Sequence, residues 1–131
     1  MKLLVIYVVQ SLQEKLGGVD IRLRVLSRSN PRTVKTNDGQ EHIVADATVG
    51  DRTGSVKLSL WDTQINEILA GDIIDLRNAY VNSFRGRLRL NIGKFGTIEK
   101  TDDLGFPTVE ELNRIKWRRY TRHRMNLNEQ L

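Results

Sequence analysis

The sequence predicts an all-β fold made of five short strands, with one short helix between the third strand and the fourth. Apolar and polar residues alternate with a period of two along four segments, turn signals separate most of the predicted strands, and one segment alone has helical spacing. The length of 131 residues suits one domain with a tail, and hydrophobic residues, at 39%, suffice for a small packed core.

The alternation predicts a strand wherever every second side chain is apolar. In residues 19–27, for example, Val19, Ile21, Leu23 and Val25 share one face. The predicted strands are residues 19–27, 41–49, 55–61, 73–81 and 87–92. The predicted connections are Asn30-Pro31, the Asn37-Asp38-Gly39 turn, residues 51–54, and a loop over residues 82–86.

The helix is predicted at residues 63–69, because Ile65, Ile68 and Leu69 recur at helical spacing. Several short strands with turn signals indicate a small barrel or sandwich, and a helix between strands three and four is the arrangement of the five-stranded OB-fold barrel. We therefore predict an OB-fold barrel at residues 19–100. An N-terminal extension at residues 1–18 precedes it, and a linker with a basic, helical or disordered C-terminal arm follows at residues 101–131.

The first nine residues, MKLLVIYVV, form a short apolar run after one lysine. A signal peptide is one interpretation, but no small-residue cleavage site follows the run. A membrane-spanning helix would need about 18 apolar residues, so we expect no membrane partner. We favour an additional β-rich segment that pairs on the barrel or packs against a partner, and a misassigned start codon is the other alternative.

Charge is concentrated at the C-terminal end. The net charge is +5, and residues 113–131 hold six basic residues and one acidic residue, which leaves fifteen of each sign in residues 1–112. A basic segment attracts polyanions such as DNA or RNA. Thr108 and Glu111 fit a capping box, so a helix is predicted to start there. The basic arm consists of Arg114, Lys116, Trp117, Arg118, Arg119, Tyr120, Arg122 and Arg124.

The basic arm has three interpretations: a phosphate-binding arm, a helix docked on structured RNA, and a disordered solubilising end. Trp117 and Tyr120 are interleaved with arginines, and both residue types stack on bases. Contact with nucleic acid is therefore favoured over solvation alone. A helix on a membrane surface is disfavoured because its apolar face would be thin.

Basic side chains on the predicted outer strand faces are candidates for phosphate binding. Residues 82–94 contain four basic residues and no acidic one, and Lys57 occupies the neighbouring outward face. A solvated strand face is the alternative interpretation. Arg32 and Lys35 lie in the first long loop, and OB-fold loops of this kind contribute to binding. The candidate phosphate-binding residues are Lys57, Arg85, Arg87, Arg89, Arg32, Lys35 and Lys94.

The aromatic residues divide between the predicted surface and the predicted core. The strand phase places Trp61 on the outer face, where it could stack on a base, and a core tryptophan is the alternative. Phe84 stands beside Arg85 in a polar setting, which also indicates a surface position. Phe95 is expected in the core.

Two segments resemble a known family. They are VADATVGDRTGSVKLSLWD at residues 44–62 and AGDIIDLRNAYVNSFRGRLRLNIG at residues 70–93, and the likeness extends over residues 19–107. They are similar to the archaeal single-OB-fold single-stranded DNA-binding proteins and to the OB subunit of the eukaryotic single-stranded DNA sensor complex. The resemblance implies that Trp61, Tyr80 and Phe84 stack unpaired bases. Tyr80 stands where a tryptophan is common in that family, and the Arg-rich end departs from the family's Gly-rich tail with its acidic tip.

The residue inventory disfavours catalysis. The chain has no cysteine and two histidines, and it contains no nucleophile–base pair, phosphate loop or metal-ligand spacing. We expect no enzyme activity, cofactor or metal, and a cytoplasmic location, since the lack of cysteine fits a reducing compartment. The predicted function is sequence-tolerant single-stranded DNA binding in replication and repair. The alternatives are an RNA-binding or ribosome/ribonucleoprotein-associated subunit anchored by its basic tail, and an OB-fold protein-interaction adaptor.

Overall fold

The computed structural model describes residues 7–115, which form a mostly β structure with six strands. The strands are β1 (Val19–Arg28), β2 (Arg32–Lys35), β3 (Glu41–Asp51), β4 (Gly54–Trp61), β5 (Ile73–Phe84) and β6 (Arg87–Thr101). A 3₁₀ turn spans Val9–Ser11, the helix α1 spans Thr63–Glu67, and residues 109–115 are helical. The prediction of an all-β fold is confirmed.

Five of the strands are connected in a ring of pairings. β1 pairs with β5, β5 with β6, β6 with β4, β4 with β3, and β3 pairs again with β1. The β4–β6 pair is parallel, and the other four pairs are antiparallel. β2 pairs with β3 outside this ring. The inward side chains of five strands therefore meet in one core.

The predicted count of five strands is wrong, because β2 lies within the expected long connection. The Thr36 N–H donates to the Gln40 carbonyl at 3.0 Å, and Gly39, at φ 83°, closes the turn of a β2–β3 hairpin. The helix α1 therefore lies between β4 and β5, not between the third and fourth strands. β2 left no alternation signal in the sequence, because Val34 alone of its four residues is half-buried.

The predicted loop over residues 82–86 is also wrong. β5 extends to Phe84 and β6 begins at Arg87, so two residues, Arg85 and Gly86, connect them. Both have positive φ, 54° and 79°, as in the type I′ turns whose twist matches that of the flanking strands. The β5–β6 hairpin is therefore paired to its tip.

β6 continues far beyond its predicted end at residue 92. It contains a bulge at residues 93–96, which we call the β6 excursion. Residues 93–96 of β6 face Asn78 alone on β5, and Asn78 has φ 55°. The pairings on either side are Arg77↔Thr97 and Ala79↔Ile92. The expectation that Phe95 lies in the core is wrong. Phe95 is 80% exposed, because the excursion places it outside the β5–β6 hydrogen-bond ladder.

The core is filled by the inward positions of the five ring strands. Its largest fully buried side chains are Ile21, Leu23, Leu58, Leu60, Ile74, Leu76, Leu90, Val19, Val25 and Val49. Ile65 and Ile68 are buried where β4 ends, and Leu12 is buried near the opposite end, where β4 begins. Burial of apolar surface is the main stabilising contribution here.

The N-terminal segment is tied to the strands by backbone hydrogen bonds. The Tyr7 N–H donates to the Asp20 carbonyl at 2.9 Å, and Tyr7 forms a parallel bridge with Ile21. The Val9 N–H donates to Asp51 Oδ2 at 2.9 Å. Residues 1–6, the rest of the predicted β-rich segment, lie outside the described residues.

Two arginines of β1 hold the segment that follows β6. The guanidinium of Arg22 donates to both carboxylate oxygens of buried Asp75, at 2.7 and 2.9 Å, and to Asp103 at 2.9 Å. The hydrogen bond to Asp75 raises the pKa of Arg22 above its ordinary value. Arg24 donates to the Pro107 carbonyl at 2.9 Å. The chain is therefore fixed to the sheet before the C-terminal helix begins.

Candidate nucleic-acid interface

The outward sides of β3, β4, β6 and β5 form one continuous surface, because these strands are neighbours in that order. The register places Thr48 beside Lys57, Lys57 beside Arg89, and Arg89 beside Asn82. A row of outward polar side chains therefore crosses all four strands, with two basic residues at its centre.

The neighbouring rows of this surface carry the aromatic residues. Outward positions recur at every second residue of a strand, so the predicted stacking and phosphate-binding positions of β4, β5 and β6 share one side. We call this surface the aromatic–basic face. It consists of Lys57, Trp61, Tyr80, Phe84, Arg87 and Arg89.

The three aromatic residues of this face differ in exposure. Phe84 is 60% exposed, Tyr80 is 43% exposed, and Trp61 is half-buried. The Tyr80 ring lies across β6 at Gly93, where a Cβ atom would come within 3.3 Å of it. The guanidinium of Arg85 lies 5.1 Å from the centre of the Phe84 ring, a cation–π contact. Exposed rings that keep a free face can stack on a planar ligand.

Trp61 is positioned by the residues that follow it and by β3. Its ring packs against the His42 ring in a T-shaped arrangement, with 5.8 Å between the ring centres and an angle of 79° between the ring planes. His42 Nδ1 lies 2.8 Å from Asp62, and the Ile43 N–H donates to the same carboxylate at 3.0 Å. These contacts lower the pKa of Asp62, and the hydrogen bond from the Ile43 N–H contributes most to the shift. Ionised Asp62 therefore joins the start of β3 to the end of β4 beside the tryptophan.

Asp46 lies among the basic residues and was not identified from the sequence. Its carboxylate accepts a hydrogen bond from Arg89 at 2.7 Å and contacts Arg32 at 3.5 Å. Arg89 also donates to Ser59 at 3.2 Å. A single carboxylate on β3 therefore binds cations from β6 and β2. The strand phase alone marks Asp46 as outward, but only the register brings it to Arg89.

Lys57 and Arg87 lie at the edge of a cleft of about 550 Å³ between the sheet and the N-terminal segment. The Lys57 ammonium donates to Thr48 Oγ1 at 2.7 Å. The cleft is also lined by the apolar side chains of Val9, Leu12, Val56 and Leu88. The basic row therefore borders an apolar recess at the end of the sheet where β4 begins.

The other candidates lie around the face. Arg85 is in the β5–β6 turn beside Phe84, and Lys35 is exposed on β2, beyond β3. Lys94 lies in the β6 excursion with its ammonium 5.7 Å from the centre of the Phe95 ring. The structure therefore brings Arg85 close to the aromatic–basic face and places Lys35 and Lys94 at its periphery.

The start of the basic arm is visible, and the predicted capping box is confirmed. Thr108 Oγ1 accepts a hydrogen bond from the Glu111 N–H at 3.1 Å, while the Thr108 N–H donates to the Glu111 carboxylate at 3.4 Å. Glu111 also contacts Arg52 of the β3–β4 turn at 3.5 Å. Arg114 belongs to this helix. The remaining arm residues, Lys116, Trp117, Arg118, Arg119, Tyr120, Arg122 and Arg124, lie outside the described residues.

Residues 7–115 contain no group of three or more His, Cys, Asp or Glu side chains arranged to hold a metal ion. Over the same range, no helix is long and apolar enough to cross a membrane. The arrangement of planar rings and cations is suited to contact with a polymer that carries planar bases and anionic phosphates.

The fold and the face together define an OB-fold domain with an outward surface of aromatic and basic side chains. The chain belongs to the family described as "Single-stranded DNA binding protein Ssb-like, OB fold", which matches residues 12–100. The family resemblance inferred from the sequence is therefore confirmed.

Similar proteins include the single-stranded DNA binding protein Ssb of Saccharolobus solfataricus, 34% identical over 104 residues that cover 79% of this chain and 70% of that protein. The replication factor A related protein from Methanobacterium thermoautotrophicum has a similar structure, with a TM-score of 0.63 and 24% identity over 76% of this chain and 93% of that chain. A replication protein A heterotrimer bound to single-stranded DNA matches with a TM-score of 0.62 and 18% identity over 78% of this chain and 26% of that chain. At these identities the structural matches establish the fold.

Proposed function

We propose that this protein binds single-stranded DNA with little sequence preference, in replication and repair. The aromatic–basic face carries the proposal, because three rings and three cations share one outward surface of four neighbouring strands. Every base has a π face, so stacking is sequence-tolerant and contributes about 1–3 kcal/mol per base. Membership of the Ssb-like family and the similar Ssb protein support the same function.

In this proposal Trp61, Tyr80 and Phe84 stack on bases. The exposure of Tyr80 and Phe84 and the lateral support of Trp61 by His42 favour that role. Phosphates are bound by Lys57, Arg85, Arg87 and Arg89, with Arg32, Lys35 and Lys94 at the periphery. Proteins that bind single strands combine such a positively charged groove with aromatic stacking positions.

The ring of pairings supports a five-stranded OB-fold barrel at residues 19–100 as the binding domain, with β2 as an addition. Residues 1–18 are then an extension that packs against the barrel, and residues 101–131 are a linker and a basic arm. We propose that the arm adds phosphate contacts, that the protein acts by binding and not by catalysis, and that it works in the cytoplasm, where a chain without cysteine is at no disadvantage.

The decisive experiment is a titration of the full chain and of Trp61→Ala with a poly-pyrimidine DNA strand and an RNA strand of equal length. We expect tight DNA binding, a preference for DNA over RNA, and at least about tenfold weaker binding by Trp61→Ala, the loss of one stacked base. Trp61→Phe, which keeps a ring, should fall between the two.

An unchanged affinity in a folded Trp61→Ala protein would contradict the proposed site. Stronger binding to RNA than to DNA would instead favour the RNA-binding or ribonucleoprotein alternative. Leu104→Ala serves as the control, because Leu104 is fully exposed in the segment that follows β6.

A further inference from the structure

The excursion of β6 has a defined shape. A Cβ atom at Gly96 would come within 3.0 Å of the Asn78 carbonyl oxygen, and one at Gly93 would come within 3.3 Å of the Tyr80 ring. Asp20 of β1 accepts a hydrogen bond from the Asn78 N–H at 2.9 Å, which holds the β5 side of the excursion. Two positions that favour glycine therefore flank Lys94 and Phe95.

Among residues 7–115, Phe95 is the most exposed aromatic residue. It is 80% exposed, compared with 60% for Phe84 and 43% for Tyr80. A single exposed apolar side chain is not by itself evidence of a binding position, so the inference depends on the neighbours of Phe95. The Tyr80 ring lies beside Gly93, and Phe95 is two residues further along the chain, so at most about 7 Å separates the Cα atoms of Gly93 and Phe95.

We propose that Phe95 and Lys94 form an additional nucleotide-binding position, in which Phe95 stacks on a base and Lys94 contacts its phosphate. This inference rests on the proposed function and extends the path of the strand beyond Tyr80, at the end of the face away from the β5–β6 turn. The site size of the protein is then set partly by the excursion of β6.

The charge around Phe95 favours a nucleic acid over an apolar protein partner. Residues 76–98, which include the whole β5–β6 hairpin tip and the excursion, contain five basic residues and no acidic residue. The Lys94 ammonium lies 5.7 Å from the centre of the Phe95 ring. An aromatic ring beside a cation can bind one nucleotide, because the ring stacks on the base and the cation contacts the phosphate.

The test is a titration of the full chain and of Phe95→Ala with oligo-dT strands of increasing length. Short strands that reach only Trp61, Tyr80 and Phe84 should bind both proteins equally. Longer strands should bind Phe95→Ala about fivefold to tenfold more weakly, and the length at which affinity stops rising should be shorter. Phe95→Tyr should restore the normal length dependence, and Leu104→Ala should have no effect.

Contact is tested directly with oligonucleotides that carry 5-iodouracil, which crosslinks to a stacked aromatic side chain on irradiation. We expect crosslinked peptides that contain Phe95, in addition to those that contain residues of the aromatic–basic face. Lys94→Gln should lower the slope of log affinity against log salt by about 0.7, the contribution of one phosphate on a single strand.

The inference is wrong if Phe95→Ala binds strands of every length as the unchanged protein does, while Trp61→Ala still binds weakly. That result would leave the proposed function intact and indicate that Phe95 serves another partner. If Trp61→Ala also has no effect, the proposed function itself fails.

Discussion

At the scale of single residues, Asp46 is a carboxylate that pairs with two of the proposed phosphate-binding arginines. Its carboxylate lies 2.7 Å from Arg89 and 3.5 Å from Arg32, and its side chain is 23% exposed. A phosphate that binds either arginine must compete with this carboxylate. If these arginines bind phosphates as proposed, the competition should lower the affinity for DNA, because the carboxylate offsets their positive charge.

We therefore expect Asp46→Asn to bind single-stranded DNA about twofold to fivefold more tightly, the contribution of a partly exposed ion pair. Binding would be measured by fluorescence anisotropy at two salt concentrations. Asp103→Asn is the matched control, because it removes the same charge and also breaks an ion pair with an arginine, Arg22, away from the face. Weaker binding by Asp46→Asn would indicate that the carboxylate positions Arg89 and does not compete with phosphate.

At the scale of the element, the turn of the β5–β6 hairpin places an arginine, Arg85, in a backbone conformation that is unfavourable for it. Type I′ turns require positive φ at both central positions, where Asn-Gly is the preferred pair. Arg85 occupies the first position at φ 54°, a conformation that costs an ordinary side chain about 1 kcal/mol. Its guanidinium lies over Phe84. Strain of this kind is retained where the side chain has another role.

Arg85→Asn should raise the free energy of unfolding by about 0.5–1 kcal/mol. The same variant should bind DNA more weakly, with a salt slope smaller by about 0.7, because one phosphate contact is lost. Chemical denaturation and a salt titration measure the two effects. A more stable protein with unchanged binding would exclude Arg85 from the interface, and unchanged stability would exclude the strain.

At the scale of the whole molecule, the net positive charge is concentrated at the C-terminal end of the chain. Residues 1–112 have equal numbers of acidic and basic residues, while residues 113–131 carry a net charge of +5. The Arg52–Glu111 contact holds the start of the C-terminal helix at the β3–β4 turn. The described start of the C-terminal helix therefore lies at the end of the sheet where the cleft beside Lys57 and Arg87 is found.

A protein that ends at Leu112 should keep its stacking contribution and lose a large part of its salt dependence. Each phosphate contact on a single strand contributes about 0.7 to the slope of log affinity against log salt concentration. The six basic residues of the arm therefore contribute at most about 4 to this slope. A full-length variant with these six residues changed to Gln separates their charge from stacking by Trp117 and Tyr120. Equal slopes for all three proteins would assign the arm to solubility, and loss of binding at every salt concentration would make the barrel a scaffold.

Local patterns predicted much of the fold and of the candidate site. Alternation with a period of two located β1, β3 and β4 to within a few residues, and it placed Trp61 and Lys57 on the outward side of β4. The capping box at Thr108 was predicted from residue types alone. These features depend on interactions among residues close in the sequence, which is why the sequence carries them.

By itself, the sequence determined the all-β class, the family and the core-facing side of β1, β3, β4 and the first part of β6, because side-chain polarity repeats there with the period of the backbone. Only the tertiary structure decided the addition of β2, the length of the β5–β6 hairpin, the exposure of Phe95 and the Asp46–Arg89 contact. Each of these depends on which residues of two strands stand opposite each other. Register is set by turn geometry and by packing across the sheet, so the polarity pattern of a single strand does not specify it.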